Sequence, residues 1–382
     1  MSRGTSLHTK LLDLVAPVSP GDELVPGVRL VGASEEAGPR LQLVIDGEPL
    51  AIEISPAESS ARAFVQTPRL RFAYVASGPA GRARGPEACR AVAERAKRNE
   101  EAVLAALEQE SAAGATADPR IREVRVDRLL EGAWHEGRTF HTLSPYVGCL
   151  VGCRFCYAQS HVALSRQLAR RRAVPWGSYV DVRVNAAEVL ATELQTIDVR
   201  TIKLCPVVSD PYQAVESRYG VTHACLEAIA RAARRPAVLV LTRTSLVARD
   251  AAILGELRAY VGVSLPTVDD EVRAHFEPRA ATIAERLAVL RTLRAAGATT
   301  MAVVQPLLPG PVEALADAIA AHCGSASIGV LEGVEGAADD FADPRFRHAR
   351  KDAWQLEHAQ RLREMLLARG VTVWRELPPE LG

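Results

Sequence analysis

Residues 237–267 read AVLVLTRTSLVARDAAILGELRAYVGVSLPT. Two short apolar, β-branched runs, Ala237–Arg243 and Val261–Thr267, flank Asp250–Ala259, which carries a helical pattern. Strand, helix and strand in such close succession predict parallel strands joined by a right-handed crossover. The alternation continues on both sides. Further candidate strands are His141–Val147, Thr201–Ser209, Thr299–Leu308, Ser327–Glu332 and Val371–Glu376. The candidate helices between them are Ala186–Gln195, Thr222–Arg234, Ile283–Ala296, Val312–Ala321 and Asp352–Arg369. The expected fold is α/β: a partial (β/α)6-type barrel, with an open doubly wound sheet as the alternative. No G-x-G-x-x-G follows a strand, and neither G-x-x-x-x-G-K-[ST] nor H-E-x-x-H occurs.

Ahead of the barrel the pattern changes. Leu41–Ile45, then Asp46-Gly47, then Leu50–Ile54 reads as a β-hairpin around a tight turn, and Arg69–Val75 as a further strand. A small β-rich domain is expected over 1–85. A linker helix follows over 86–120, and the barrel occupies 121–382.

The 382 residues hold 46 basic and 46 acidic side chains, and 48% are hydrophobic. A balanced charge argues against holding nucleic acid by bulk electrostatics. No run approaches the ~20 apolar residues of a membrane span. Met1 to Lys10 lacks the apolar stretch of a signal peptide, so a cytoplasmic location is expected. Seven cysteines, an odd number in a long chain, do not suggest a disulfide framework.

Three of the seven, Cys149, Cys153 and Cys156, fall at C-x3-C-x2-C after a candidate strand. Gly148 and Gly152 let the loop curl around a common point. Soft thiolates suit an iron–sulfur cluster, zinc or Cu(I). A [4Fe-4S] cluster ordinarily takes four cysteines, so three would leave one iron open. The spacing also permits a Cys3His zinc site completed by His161, on a protein that only binds. An iron–sulfur electron carrier is a third reading.

The spacing, with an aromatic residue before the third cysteine, resembles the signature of the radical S-adenosylmethionine (SAM) superfamily. Ser209-Asp210-Pro211-Tyr212-Gln213 with Glu216, Leu241–Ser245 with Arg249-Asp250, Val263–Thr267, Glu277-Pro278-Arg279 and Pro306–Gly310 resemble successive blocks of its spore photoproduct lyase-like group. The resemblance covers residues 140 to 335. It implies a [4Fe-4S] cluster on the three cysteines and SAM on the open iron. It implies reductive cleavage of SAM to a 5′-deoxyadenosyl radical that takes hydrogen from a substrate, lyase chemistry in that group. A flavodoxin- or ferredoxin-type protein would donate the electron. The implied cofactor contacts are Phe155 against the adenine, Ser209 and Asp210 on the methionine amino group or ribose, Arg243 on the carboxylate and Ser264 on the ribose. Loop packing, helix capping, a solvated arginine and strand-end packing are the respective alternatives. Glu277 and Arg279 are read as an ion pair near the site or within the scaffold.

One departure touches the substrate. The group carries a hydrogen-donor cysteine two residues before the serine matched by Ser209, where this chain has Val207. Cys205 lies on the same strand face and is the candidate catalytic donor, with core packing as the alternative. A nucleic-acid lesion therefore stays open beside a peptide or small molecule. Arg166, Arg170, Arg171 and Arg172, then Trp176 and Tyr179, would be its contacts, or else a solvated helix end.

Overall fold

At the Asp46-Gly47 turn both residues take left-handed φ, +49° and +81°, as a two-residue hairpin requires. The structure is a computed structural model. It describes residues 7–34, 39–57, 63–76, 78–113, 120–135, 138–168, 171, 174–204, 208–331, 335–374 and 381. The chain divides into two compact units. The first is Met1–Arg120, Glu131–Thr139 and Tyr157–Pro175, and the second is Ile121–Leu130, Phe140–Cys156 and Trp176–Gly382.

In the first unit, helix α1 (Leu7–Asp13) precedes six antiparallel strands: β1 (Glu23–Val25), β2 (Val28–Ser34), β3 (Arg40–Ile45), β4 (Glu48–Pro56), β5 (Val65–Gln66) and β6 (Leu70–Ala76). They pair in the order β1-β2-β3-β4-β6-β5. Leu41, Leu43, Ile45, Ile52, Ile54 and Phe72 form its buried face. Helix α2 (Pro79–Ala113) is more than the linker that composition suggests. Its Ala88, Cys89, Val92, Ala93, Ala96 and Leu104 are buried in the core of this sheet, because its small residues recur at helical spacing along one stripe. It also begins before Pro86, where a proline reads as a helix start. Helix α3 (Ala158–Leu168), which periodicity did not single out, adds Leu164 to the same core.

In the second unit, β7 (Ile121–Val124), β10 (Tyr146–Val147) and β11 (Val180–Arg183) make a small sheet ordered β10-β11-β7. Next in the chain come β8 (Leu130–His135), of which all but Leu130 belongs to the first unit, and β9 (Arg138–Leu143), whose Phe140–Leu143 belong to the second. The parallel strands are then β9, β12 (Thr201–Leu204), β13 (Ala237–Thr242), β14 (Tyr260–Ser264), β15 (Thr299–Val304), β16 (Ser325–Ile328) and β17 (Thr372–Trp374). They are neighbours in that order, and every pairing among them is parallel. The architecture is a partial β/α barrel. Helices α4 (Ala186–Thr196), α5 (Glu216–Tyr219), α6 (Val221–Arg231), α7 (Ala251–Glu256), α8 (Asp270–Phe276), α9 (Ile283–Ala295), α10 (Val312–His322) and α11 (Asp352–Ala368) fall between or beside the strands.

The strands are shorter than hydrophobicity suggests. His141–Val147 splits into β9 and β10, which belong to different sheets. The Thr299–Leu308 run stops at Val304, before the cis Gln305–Pro306 bond, where proline withdraws a ladder donor. Alternate residues serve opposite faces. Ile202, Leu204, Val238, Val240, Val261, Val263, Ala302 and Val304 join the core shared with the helices. Leu239, Met301 and Val303, with Leu381, form a separate apolar cluster on the concave face.

Candidate functional site

Cys149, Cys153 and Cys156 lie on the loop after β10. Gly148 and Gly152 hold φ of +84° and +64°, a region that L side chains rarely enter. The loop is anchored from two sides. Gly148 N donates to Val208 O at 3.1 Å, and Arg154 N donates to Phe276 O at 3.0 Å. Cys149 and Cys153 are 7% and 4% exposed. They share an apolar cluster with Val151, Phe155, Phe276, Leu308 and Phe341, and Cys156 packs against it. Burial pushes both thiols up to about 12. The charge of Cys156 acts on the Cys149 thiol, and that of Cys149 on the Cys153 thiol, each adding a smaller upward push to that of burial. Among the described residues no three His, Cys, Asp or Glu side chains, these cysteines included, are drawn together as a metal site.

Gln213 braces this loop. Fully buried, it donates from Nε2 to Gly148 O (3.1 Å) and Ser209 Oγ (2.5 Å) and accepts Leu150 N at Oε1 (2.7 Å). Ser209 Oγ in turn donates to Gly148 O at 2.7 Å. Asp210 works on the neighbouring strand end. Its carboxylate accepts Tyr212 N (2.9 Å), Thr242 Oγ1 (2.7 Å) and Arg243 N (3.0 Å). Burial raises its pKa, against the pull of these donors. Thus the hydroxyl of Ser209 and the carboxylate of Asp210, expected on the cofactor, are engaged within the protein. Ser209 ties its segment to the cysteine loop and Asp210 ties it to the end of β13, because a buried polar group must find partners.

Arg243 reaches the cysteines from the end of β13. Its guanidinium carbon lies 5.8 Å from the Phe155 ring centroid. Burial alone would lower its pKa, but Cys153, Glu277, Cys156 and Asp210 outweigh that and raise it further. It is no solvated arginine, being buried. Nη1 donates to Glu277 Oε1 at 2.6 Å, and Arg286 Nη2 donates to Glu277 Oε2 at 2.6 Å. Glu277 and Arg286 are both 0% exposed. Arg286 also donates from Nη1 to Ser264 O (2.9 Å) and from Nε to Ala281 O (2.9 Å). This buried Arg–Glu–Arg set runs from the cysteines to the end of β14, where Ser264 is buried.

The expected Glu277–Arg279 pair does not form. Arg279 turns away, and its Nη2 donates to Gly177 O at 2.8 Å. Its guanidinium lies across Gly152 and Gly177, and a Cβ on either glycine would run into it. In a Gly152→Ala variant the new carbon would also sit 2.9 Å from Gly177 Cα. With left-handed backbone strain of roughly 1–3 kcal/mol, that variant is expected to retain less iron after anaerobic reconstitution. Wild-type iron content in it would show that the Arg279 crossing does not shape the loop.

Cys205 lies outside the described residues, as do Arg170 and Arg172. Arg166 is buried rather than solvated, and the Trp176 and Tyr179 rings meet edge to face at 6.3 Å.

With the cysteine loop, the strand ends and their polar braces in place, residues 143–320 match the family model of the Radical SAM superfamily. This segment is a radical SAM domain. Curated relatives of the domain include uncharacterized proteins of Mycobacterium bovis and of Acidianus two-tailed virus. The first is 31% identical over 175 residues, covering 44% of this chain and 50% of that protein. The second is 28% identical over 168 residues, covering 43% and 54%. The chain thus spans about half the length of these relatives. Similar solved structures include spore photoproduct lyase complexed with dinucleoside spore photoproduct, at 17% identity, TM-score 0.46 and coverage of 70% of this chain and 84% of that one. Another is the radical SAM methyltransferase TsrM from Kitasatospora setae, at 13% identity, TM-score 0.35 and coverage of 49% and 35%.

Within the radical SAM domain, motif reading found the three cysteines and Arg243 but not the groups that hold them. Gln213 stood inside a quoted block without a role, and Glu277 was paired with Arg279 rather than with Arg243 and Arg286. Arg286 gave no signal at all, since it sits among other charged residues in an ordinary helix.

Proposed function

We propose that this chain is a radical SAM enzyme of the spore photoproduct lyase-like group, with Cys149, Cys153 and Cys156 as ligands of a [4Fe-4S] cluster. The observation that carries the reading is the three thiols of one glycine-curled loop, two buried and one half-buried, with a cationic guanidinium beside it. The donor set fits the group: three soft sulfur ligands, two of them buried, next to a positive charge that favours ionised sulfur. When bound, such a cluster supplies the electron that cleaves SAM to methionine and a hydrogen-abstracting 5′-deoxyadenosyl radical. The chain's own residues bind and orient. Arg243, held by Glu277, offers a charged fork suited to a carboxylate. Phe155 offers an apolar ring for the adenine, and Ser264 a strand-end hydroxyl for the ribose. Ser209, Asp210 and Gln213 keep the loop and the Arg243 backbone in register. In this reading residues 121–382 carry the chemistry, 1–85 form an accessory domain, and 86–120 join them. The electron donor is a reduced flavodoxin- or ferredoxin-type protein, Cys205 remains the hydrogen-donor candidate, and a nucleic-acid lesion is one substrate to test. No helix among the described residues is long and apolar enough to cross a membrane, which accords with work in the cytoplasm.

The test is anaerobic reconstitution with iron and sulfide, reduction with dithionite, and a mass-spectrometric search for 5′-deoxyadenosine. The nucleoside should form only with SAM and reductant together. A brown, cluster-loaded protein that makes none would leave an electron carrier, and a colourless protein holding one zinc would support the binding reading.

A further inference from the structure

The chain has four lysines against 42 arginines. Lys10 lies 3.6 Å from Asp13, and Lys97 and Lys351 are exposed. Lys203 differs from all three. It is the third residue of β12, and its neighbours Ile202 and Leu204 are buried against the helices. Strand alternation turns Lys203 to the opposite, concave face. There its register partners are Thr142 on β9 and Leu239 on β13, and Leu239 belongs to the concave apolar cluster.

An ammonium beside such a floor loses hydration and needs a partner. Among the described residues no carboxylate lies within ion-pair range of it. Its one recorded contact is the Phe140 ring, with Nζ 5.2 Å from the centroid, a weak partner for a cation. Its side chain is half-buried rather than sealed in the core. A second donor borders the same floor. Trp374 packs on the concave cluster, and its buried Nε1 has no hydrogen-bond partner among the described residues. An unneutralised cation and an unsatisfied N–H beside one apolar surface are complementary to a ligand with an anionic group on an apolar body.

We propose that Lys203 binds the oxyanion of the substrate, a carboxylate or a phosphate ester, on the inner face of the barrel. That the ligand is the substrate rests on the radical SAM reading. That the site takes an oxyanion rests only on Lys203 and its surroundings.

The test uses the full chain without cluster or SAM, so its failure is separate from failure of the 5′-deoxyadenosine assay. Reductive methylation with ¹³C-formaldehyde keeps the lysine charge and yields four lysine signals, of which Lys203→Arg identifies one by its loss. Inorganic phosphate and acetate are titrated in parallel at constant ionic strength. The Lys203 signal should shift saturably with at least one, while the other three drift without saturation. Saturation with phosphate alone assigns a phosphate ester, and with acetate alone a carboxylate. Binding followed by calorimetry should weaken at least about tenfold in Lys203→Met, the loss expected for a charge-assisted contact, and be largely kept in Lys203→Arg. If all four signals drift alike, or if Lys203→Met binds both anions as well as wild type, the proposal is overturned.

Discussion

A Cys153→Ala variant should emerge from anaerobic reconstitution colourless and form no 5′-deoxyadenosine. Iron should fall from about four per chain to a fraction of one, since a thiolate ligand cannot be replaced by a methyl group. Among the described residues the site has no spare sulfur to offer. Among the described residues the remaining cysteines lie elsewhere, Cys89 in the core of the first unit and Cys225 and Cys323 in the core between barrel strands and helices. Cys225→Ala is therefore the control. It removes an equally buried thiol and costs packing, but colour and SAM cleavage should persist. A Cys153→Ala protein with wild-type iron and visible absorption would refute the ligand assignment.

The second large effect is expected from Glu277→Ala. Its carboxylate is shared by Arg243 and Arg286, both buried. Removing it leaves two buried guanidiniums without the carboxylate they share. Breaking a buried ion pair by deleting one partner typically costs about 3–5 kcal/mol. Denaturant unfolding should show a loss of that order, and the surviving folded protein should bind SAM poorly because Arg243 is no longer aimed. Glu277→Gln fills the same space and separates charge from shape. Unchanged stability in both variants would show that the three side chains do not act as a unit.

The same residue predicts a pH dependence. Burial pushes the Glu277 carboxyl upward, but Arg286 and Arg243 outweigh it and leave it below its ordinary value. A folded-state pKa below the unfolded one contributes stability that is present above the unfolded value. It is lost as pH falls through the folded value. Wild type should therefore lose stability below the ordinary carboxylate range, and Glu277→Gln should lose less there. Asp210, raised by burial, contributes with the opposite sign. It is common to both proteins and cancels in the difference. Parallel acid-unfolding curves would remove Glu277 from the account.

Much of the barrel was legible because its strands are β-branched runs separated by amphipathic helices. A period of two against one of 3.6 survives whatever the distant contacts are. The ends were less legible. Proline at Pro306 and the split of His141–Val147 between two sheets depend on where a neighbour offers hydrogen bonds. The role of the helix after Gly78 was hidden for a related reason: small residues along a stripe do not say which surface they cover. At the site, the cysteines were visible because ligand spacing is local. The braces were not, because Gln213, Glu277 and Arg286 act on residues that are distant in sequence.

By itself the sequence determined the α/β alternation, the glycine-curled loop and the trio of thiols on it. Each of these follows from chemistry within a few neighbouring residues. Only the tertiary structure decided that Glu277 joins Arg243 to Arg286, that Arg279 crosses two glycines, and that Lys203 faces the concave side with no carboxylate beside it among the described residues. Those outcomes depend on which buried charge meets which partner once the strands are aligned. A linear pattern cannot specify that, since the energy of a charge is set by what surrounds it.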